Sequence, residues 1–321
     1  MRTPSPLRFL SRLLLAMMST AAAAFADEPP LAGLAGATHS EKLQQRVERA
    51  VTRTLGETWK PALTSNQVAV TVVDLSESDR PTFASHRGTA VIYPASVIKM
   101  FYLGAVHRWM EDGRIADTAE VRRAMRDMIV ESYNEPTHYL IDLLTGTTSG
   151  PELPATDLRD WWDRRNAVNR WLKELGYPAS INASKKPWCE GPYGRESQAI
   201  REFEPKRNFL TTEATARMLS EIAQGRLVTA ERSKQMLELM ARDFEAPATD
   251  PEDQAHGYSG IALKSGTTLW SKCGLTSETR HDAALIRLAD GRRLVVVTFT
   301  TDHANERRII PSIVSGILEG Y

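Results

Sequence analysis

The chain predicts a mixed α/β (α+β) fold: one antiparallel sheet built from both chain ends, flanking helices, and an all-helical subdomain inserted between the two halves of the sheet. Three observations carry this. β-rich stretches stand near the start (67–75 and 82–93) and near the end (269–273, 282–288 and 294–300) of the sequence. The residues between them have helical periodicity. Amphipathic helical patterns close both outer ends, from Leu43 to Leu55 and from Ile310 to Leu318.

The elements follow in order. Arg2, Arg8 and Arg12, a short apolar run from Leu13 to Met18, and Ala24-Phe25-Ala26 read as a signal peptide over 1–26. Its apolar run is too short to span a bilayer comfortably. Residues 27–39, rich in Pro, Ala and Gly, read as a linker. Ser40 caps a helix carrying Leu43, Val47, Ala50, Val51 and Leu55. Gln67 to Leu75 and Thr82 to Tyr93 form a hairpin around the polar turn Ser76 to Arg80. Sheet residues are thus expected at 40–95 and 250–321, with the helical subdomain at 96–249.

Val97 to Met110 is apolar nearly all round, the pattern of a helix buried on every side. Val121, Ala124, Met125, Met128 and Ile129 make a stripe on the next helix, which stops at Ser132, and Leu140, Leu143 and Leu144 continue beyond Pro136. Leu158 to Leu175 is expected as one Trp-rich helix, and Gly176 to Asn208 as a long irregular segment. Thr212 and Thr229 look like caps for two further helices, and Asp290-Gly291 is a hairpin turn between the last two strands.

Composition narrows the function. Removing the first 26 residues takes away three arginines and no acid, leaving 37 basic against 40 acidic side chains, which does not suit a polyanion; nucleic-acid binding is not expected. The two cysteines, Cys189 and Cys273, exclude a disulfide scaffold. Export to a periplasm or beyond would permit a bridge, but sequence alone does not place the two within bonding distance. The seven histidines show no metal-ligand spacing, and no Gly-rich phosphate loop follows a strand, so neither a metal nor another cofactor is implied.

The chemistry concentrates at Ser96-Val97-Ile98-Lys99, where an extended segment gives way to the buried helix. A serine hydroxyl is a weak nucleophile until a neighbour takes its proton. Residues i and i+3 share a helix face, so the Lys99 amine can stand beside Ser96. Ser132-Tyr133-Asn134 follows at the next helix boundary, and Lys272-Cys273-Gly274 lies on a strand near the C-terminus. Lys264-Ser265-Gly266-Thr267 is the better match to the last motif by letter, but it would leave Leu269 and Trp270 in a long loop; Lys272 is preferred. Ser180-Ile181-Asn182 repeats the second pattern inside a loop and is read as accidental.

In that order the three motifs resemble those of the β-lactamase and D,D-peptidase superfamily of penicillin-recognising serine enzymes, its class A-like branch above all. The resemblance runs from about Gln67 to the C-terminus. It implies a β-lactamase/transpeptidase-like fold with Ser96 as nucleophile and Lys99 as a base that works only when neutral. Burial and the nearby Lys272 charge would favour that neutral form. Ser132 would relay a proton to the leaving nitrogen, and Asn134 would hold the substrate's amide side chain. The N–H groups of Ser96 and of Leu275, just past Gly274, would bind the oxyanion. Arg280, beside His281 at the start of the next strand, would meet the substrate carboxylate.

Two features depart from class A enzymes. Their deacylating glutamate sits in a Glu-x-x-Leu-Asn loop that this chain lacks; Glu190 is the first candidate for the role and Glu196 the second. The interval from Ser96 to Ser132 is also short, removing a segment that usually walls the cleft. The expectation is an exported monomer, without a stable membrane span once cleaved, acting on a β-lactam or a peptidoglycan-type peptide. A D,D-peptidase-like or esterase-like enzyme with slow lactam turnover, or a non-hydrolytic penicillin-binding sensor, is the alternative.

Overall fold

Alternation along the strands decides how the layers stack. In the computed structural model, which describes residues 34, 36–188, 190–248, 250–319 and 321, the sheet order is β1-β3-β2-β7-β6-β5-β4. The strands are β1 (Thr38–His39), β2 (Val68–Asp74), β3 (Thr82–His86), β4 (Ala241–Arg242), β5 (Thr268–Leu275), β6 (Thr279–Arg287) and β7 (Arg293–Thr301). Every pair is antiparallel except β1 with β3, which is parallel. The predicted signal peptide and Cys189 lie outside the described residues. The end of the expected linker belongs to the sheet, as β1.

β7 shows why both faces are covered. Val295, Val297 and Phe299 join one core, while Leu294 and Val296 join the other. The second core is closed by α1 (Glu41–Leu55) and α10 (Ile309–Leu318). Ser40 caps α1 by accepting the Leu43 N–H at 3.3 Å. The first core is closed by α2 (Ile98–Glu111), in which every residue from Ile98 to His107 is buried. Around α2 stand α3 (Ala119–Ile129), α4 (Asn134–Thr145), α6 (Ala167–Glu174) and α9 (Ala230–Met240); α8 (Thr212–Ala223) lies against β2, β6 and β7, and α5 (Ala155–Arg165) and α7 (Gly194–Glu202) pack together in a small third cluster.

Several expectations are corrected. The Trp-rich segment is two helices, because the Asn166 side chain bonds the Trp162 carbonyl at 2.8 Å and competes with the helical ladder. The second strand ends at His86, well short of Tyr93. The cap of α8 is Thr211, whose hydroxyl accepts the Ala214 N–H, and Thr212 is its first helical residue; Thr229 does cap α9. The segment 176–208 contains α7, which lacks a clear apolar stripe because Gln198 anchors it through both backbone groups of Leu153. Its neighbouring turns are bridged too: Asn182 pairs with Phe209, and Leu210 with Ile92, four residues before Ser96. Asn182 itself is buried and bonded to Asn169 and the Arg207 carbonyl, so the second Ser-x-Asn has a structural use.

Candidate active site

The site forms where a tight turn meets the inner face of the sheet. Ser96 lies in a 3₁₀ turn, Ala95–Val97, immediately before α2. Ala95 has φ 46°, a left-handed conformation uncommon outside glycine. That turn presses on β5 at Gly274. A Cβ at Gly274 would stand 2.7 Å from the Pro94 carbonyl and 3.1 Å from the Ser96 nitrogen, so only glycine permits the approach.

The strand register sorts the remaining candidates. Thr276 donates its N–H to the Thr279 carbonyl, making 276 and 279 a hydrogen-bonded pair. Leu275 and Arg280, next along the register, are then a non-hydrogen-bonded pair, and the Leu275 N–H points away from β6. Lys272 and Gly274 face the α2 side of β5, while Cys273, a buried free thiol, faces the other core. His281, directly across from Gly274, shares its face and is fully buried. It accepts the Thr300 N–H at Nδ1 (3.1 Å) and donates from Nε2 to the Tyr93 carbonyl (2.9 Å), a neutral tautomer that burial favours by pushing its pKa down to about 4.

Two lysines converge on Ser132. Lys99, fully buried, donates to the Ser132 carbonyl (2.5 Å), the Asn134 Oδ1 (2.8 Å) and the Ser132 hydroxyl (3.4 Å). Lys272, also fully buried, donates to the same hydroxyl at 3.0 Å from the opposite wall. Burial lowers the Lys272 pKa to about 8, with the Arg242 charge acting in the same sense. Ser132 presents these atoms from a left-handed backbone, φ 59°. Such a strained residue at the meeting point of two lysine amines is the arrangement expected at a functional site.

The structure thus brings Ser132, Lys99, Asn134 and Lys272 together, with the Ser96 turn against Gly274. Lys264 sits in the turn that follows the Ser259–Ala262 3₁₀ segment, lining a surface cavity with Leu288 and Tyr321. Arg280 is not brought to the cluster. Its side chain faces the other core and is engaged by the Ala304 carbonyl (2.8 Å), the Gly257 carbonyl (2.9 Å) and Glu252. Glu190 is exposed. Glu196 is buried and bound to Arg165 (2.7 Å) and Ser149 (2.8 Å), within a network that includes Lys186 and Asp142.

Sequence reasoning named His281 without giving it a place in the site, and it missed Gln254. Counting back from the hairpin turn would have placed His281 opposite Gly274. Gln254 lies in an irregular loop, and nothing in its neighbourhood of the sequence marks it. His138, one turn beyond Asn134, was missed as well; it meets the Pro187 carbonyl at 2.6 Å and packs against Trp188 with the rings tilted by 55°.

A sheet from both chain ends, covered on both faces and bearing a Ser/Lys helix start at one edge, is the β-lactamase/transpeptidase-like fold. The chain belongs to the β-lactamase enzyme family, whose sequence model matches residues 47–319, and is a serine β-lactamase-like hydrolase. Among solved structures it is similar to the β-lactamase from Sphaerobacter thermophilus (TM-score 0.60, 21% identity, 86% of this chain and 97% of that one). PBP-A is similar at TM-score 0.59 and 17% identity, over 88% of this chain and 96% of that one. A class A β-lactamase from Bacteroides cellulosilyticus matches at TM-score 0.59 and 16% identity, over 86% and 97%. At these identities the likeness speaks to the fold. A comparison with curated protein sequences finds no match. Among the described residues, no helix is long and apolar enough to cross a membrane.

Proposed function

We propose that this is an exported hydrolase that opens β-lactam rings, or related amides, through an acyl-enzyme on Ser96. Lys99 in its neutral form takes the Ser96 proton as Oγ attacks the carbonyl carbon. The oxyanion is received by the N–H groups of Ser96 and Leu275. As the C–N bond breaks, Ser132 gives its proton to the leaving nitrogen and is reprotonated through Lys99. Lys272 supplies a positive charge that steadies the Ser132 oxygen and attracts the substrate carboxylate, while Asn134 holds the amide side chain. The observation supporting this reading is the single hydroxyl of Ser132 reached by two buried lysines, 3.4 and 3.0 Å away.

Slow turnover is the second reading, favoured by the placement of the two loop acids. Glu196 is held by Arg165, and the exposed Glu190 is the candidate left to activate water. One of the similar structures is a leucine-to-glutamate variant of PBP-A described as an acyl-enzyme complex with penicillin G. The substrate proposed here is accordingly a β-lactam or a peptidoglycan-type peptide, acted on by a monomer outside the cytoplasm.

Intact mass followed over time with a penicillin tests both readings. The protein should gain one penicillin mass, and Ser96→Ala should gain none. Decay of the adduct within minutes supports a lactamase, and persistence for hours supports the slow enzyme. An adduct on Ser96→Ala equal to that on the parent would refute the mechanism.

A further inference from the structure

Gln254 occupies an irregular stretch between β4 and β5, 8% exposed, and its amide has no capacity left over. Oε1 accepts from Lys272 Nζ (2.8 Å) and from the Cys273 N–H (3.2 Å). Nε2 donates to the carbonyls of Ile129 and Val130, each at 2.8 Å. All four hydrogen-bonding positions of a side-chain amide are thereby used. The two carbonyls end α3, two and three residues before Ser132. One side chain therefore ties the strand bearing Lys272 to the segment bearing Ser132.

The loop is itself braced. Arg280 binds Glu252 and the Gly257 carbonyl on either side of Gln254, and Asp253 accepts the N–H groups of Ala255 and His256 at 2.8 Å each. Arg242 adds a second tie between the same walls, donating to the carbonyls of Ile129 (3.3 Å) and Ser271 (2.8 Å).

We propose that Gln254 is a positioning residue that holds Lys272 against Ser132 and sets the charge state of Lys272 by offering it a neutral acceptor rather than a carboxylate. This rests on the Ser96 acyl-enzyme reading. The charged and titratable groups around Lys272 are Lys99 from α2, which shares the Ser132 hydroxyl with it, Arg242 from β4 and, from the other face of the sheet, Asp282 on β6 and the adjacent Cys273. Arg242 opposes its ammonium form, whereas Asp282 and Cys273 favour it. A glutamate in place of Gln254 would add a full negative charge at hydrogen-bond distance and favour the ammonium further. A methionine would fill the same space and offer no such acceptor.

The test is the rate of acylation by a fluorescent penicillin between pH 6 and 10, with thermal unfolding of each variant. In the unaltered protein the rate should fall on the alkaline side near the Lys272 pKa of about 8. Gln254→Glu should move that limb about one pH unit higher, and Gln254→Met should move it lower while slowing acylation at pH 7 about tenfold. Movement in opposite senses supports the proposal. An unmoved limb in Gln254→Glu, with Tm lowered or not, would overturn it and leave Gln254 a structural tie. Should Gln254→Met not fold, the glutamate variant decides alone. If the unaltered protein takes up no label, the Ser96 reading has failed and this proposal falls with it.

Discussion

Ser132 adopts a left-handed backbone, and that conformation lets its hydroxyl meet Lys272 while its carbonyl meets Lys99. No propensity rule would place serine there, yet the Ser-x-Asn letters marked it, because the chemistry requires those residue types at that spacing. Arg280 shows the limit of the same reasoning: its position in the hairpin was legible, but strand parity turns its side chain to the other core. Glu196 is similar, a plausible loop acid by sequence that the fold uses to compensate buried Arg165. Removing its charge leaves Asp142, 3.6 Å away, as the carboxylate paired with that guanidinium among the described residues. Glu196→Gln should therefore cost about 3 kcal/mol of stability, read from urea unfolding. Glu190→Gln, at an exposed position, should change stability by less than ~0.5 kcal/mol. Equal costs for the two would contradict the assignment of Glu196 to the buried network.

At the scale of elements, the site depends on how closely the Ser96 turn can approach β5. Gly274→Ala would push a methyl group into the Pro94 carbonyl and displace the turn. A shift of about 1 Å at a reacting group can cost ~10²-fold in rate, so acylation should fall 10- to 100-fold. Tm should change by only a few degrees, since the sheet register beyond Gly274 is undisturbed; an unchanged acylation rate would show that the turn and strand are not in register with the chemistry. The long elements were legible in the sequence. The all-round apolar pattern of α2 and the stripe of α3 appear as buried faces. What escaped were elements formed by polar contacts: α7 through Gln198, the α5/α6 break through Asn166, and the two-residue strands β1 and β4. Such contacts join residues far apart or act through the backbone, and hydrophobic periodicity does not register them.

For the whole molecule, two buried histidines link stability to pH. His107 is 1% exposed with no hydrogen-bond partner on either ring nitrogen among the described residues, and burial pushes its pKa down to about 4. His281 is shifted to the same value. Both lie below the unfolded value of 6.5, so the unfolded chain binds more protons as the pH falls. Their contribution is complete above pH 6.5 and is lost towards pH 4, at roughly 1.4 kcal/mol per pH unit for each. Buried Asp142 and Asp282, whose pKa values burial raises, act in the opposite sense. His107→Leu isolates one share: its Tm should fall less than the parent's between pH 7 and 4.5, and parallel curves would contradict the assignment. The two halves of the sheet and the helices between them were readable because they are periodic patterns along the chain, and the three candidate motifs because their letters stand close together in the sequence; the meeting of Lys99 and Lys272 at Ser132 belongs to the folded molecule alone. A crystal structure after brief exposure to a penicillin tests that convergence most directly. The expected result is an ester on Ser96 Oγ with its carbonyl oxygen within hydrogen-bond distance of the Ser96 and Leu275 nitrogens, and Ser132 still between Lys99 and Lys272. An ester at any other residue, or a carbonyl turned away from those two nitrogens, would contradict it.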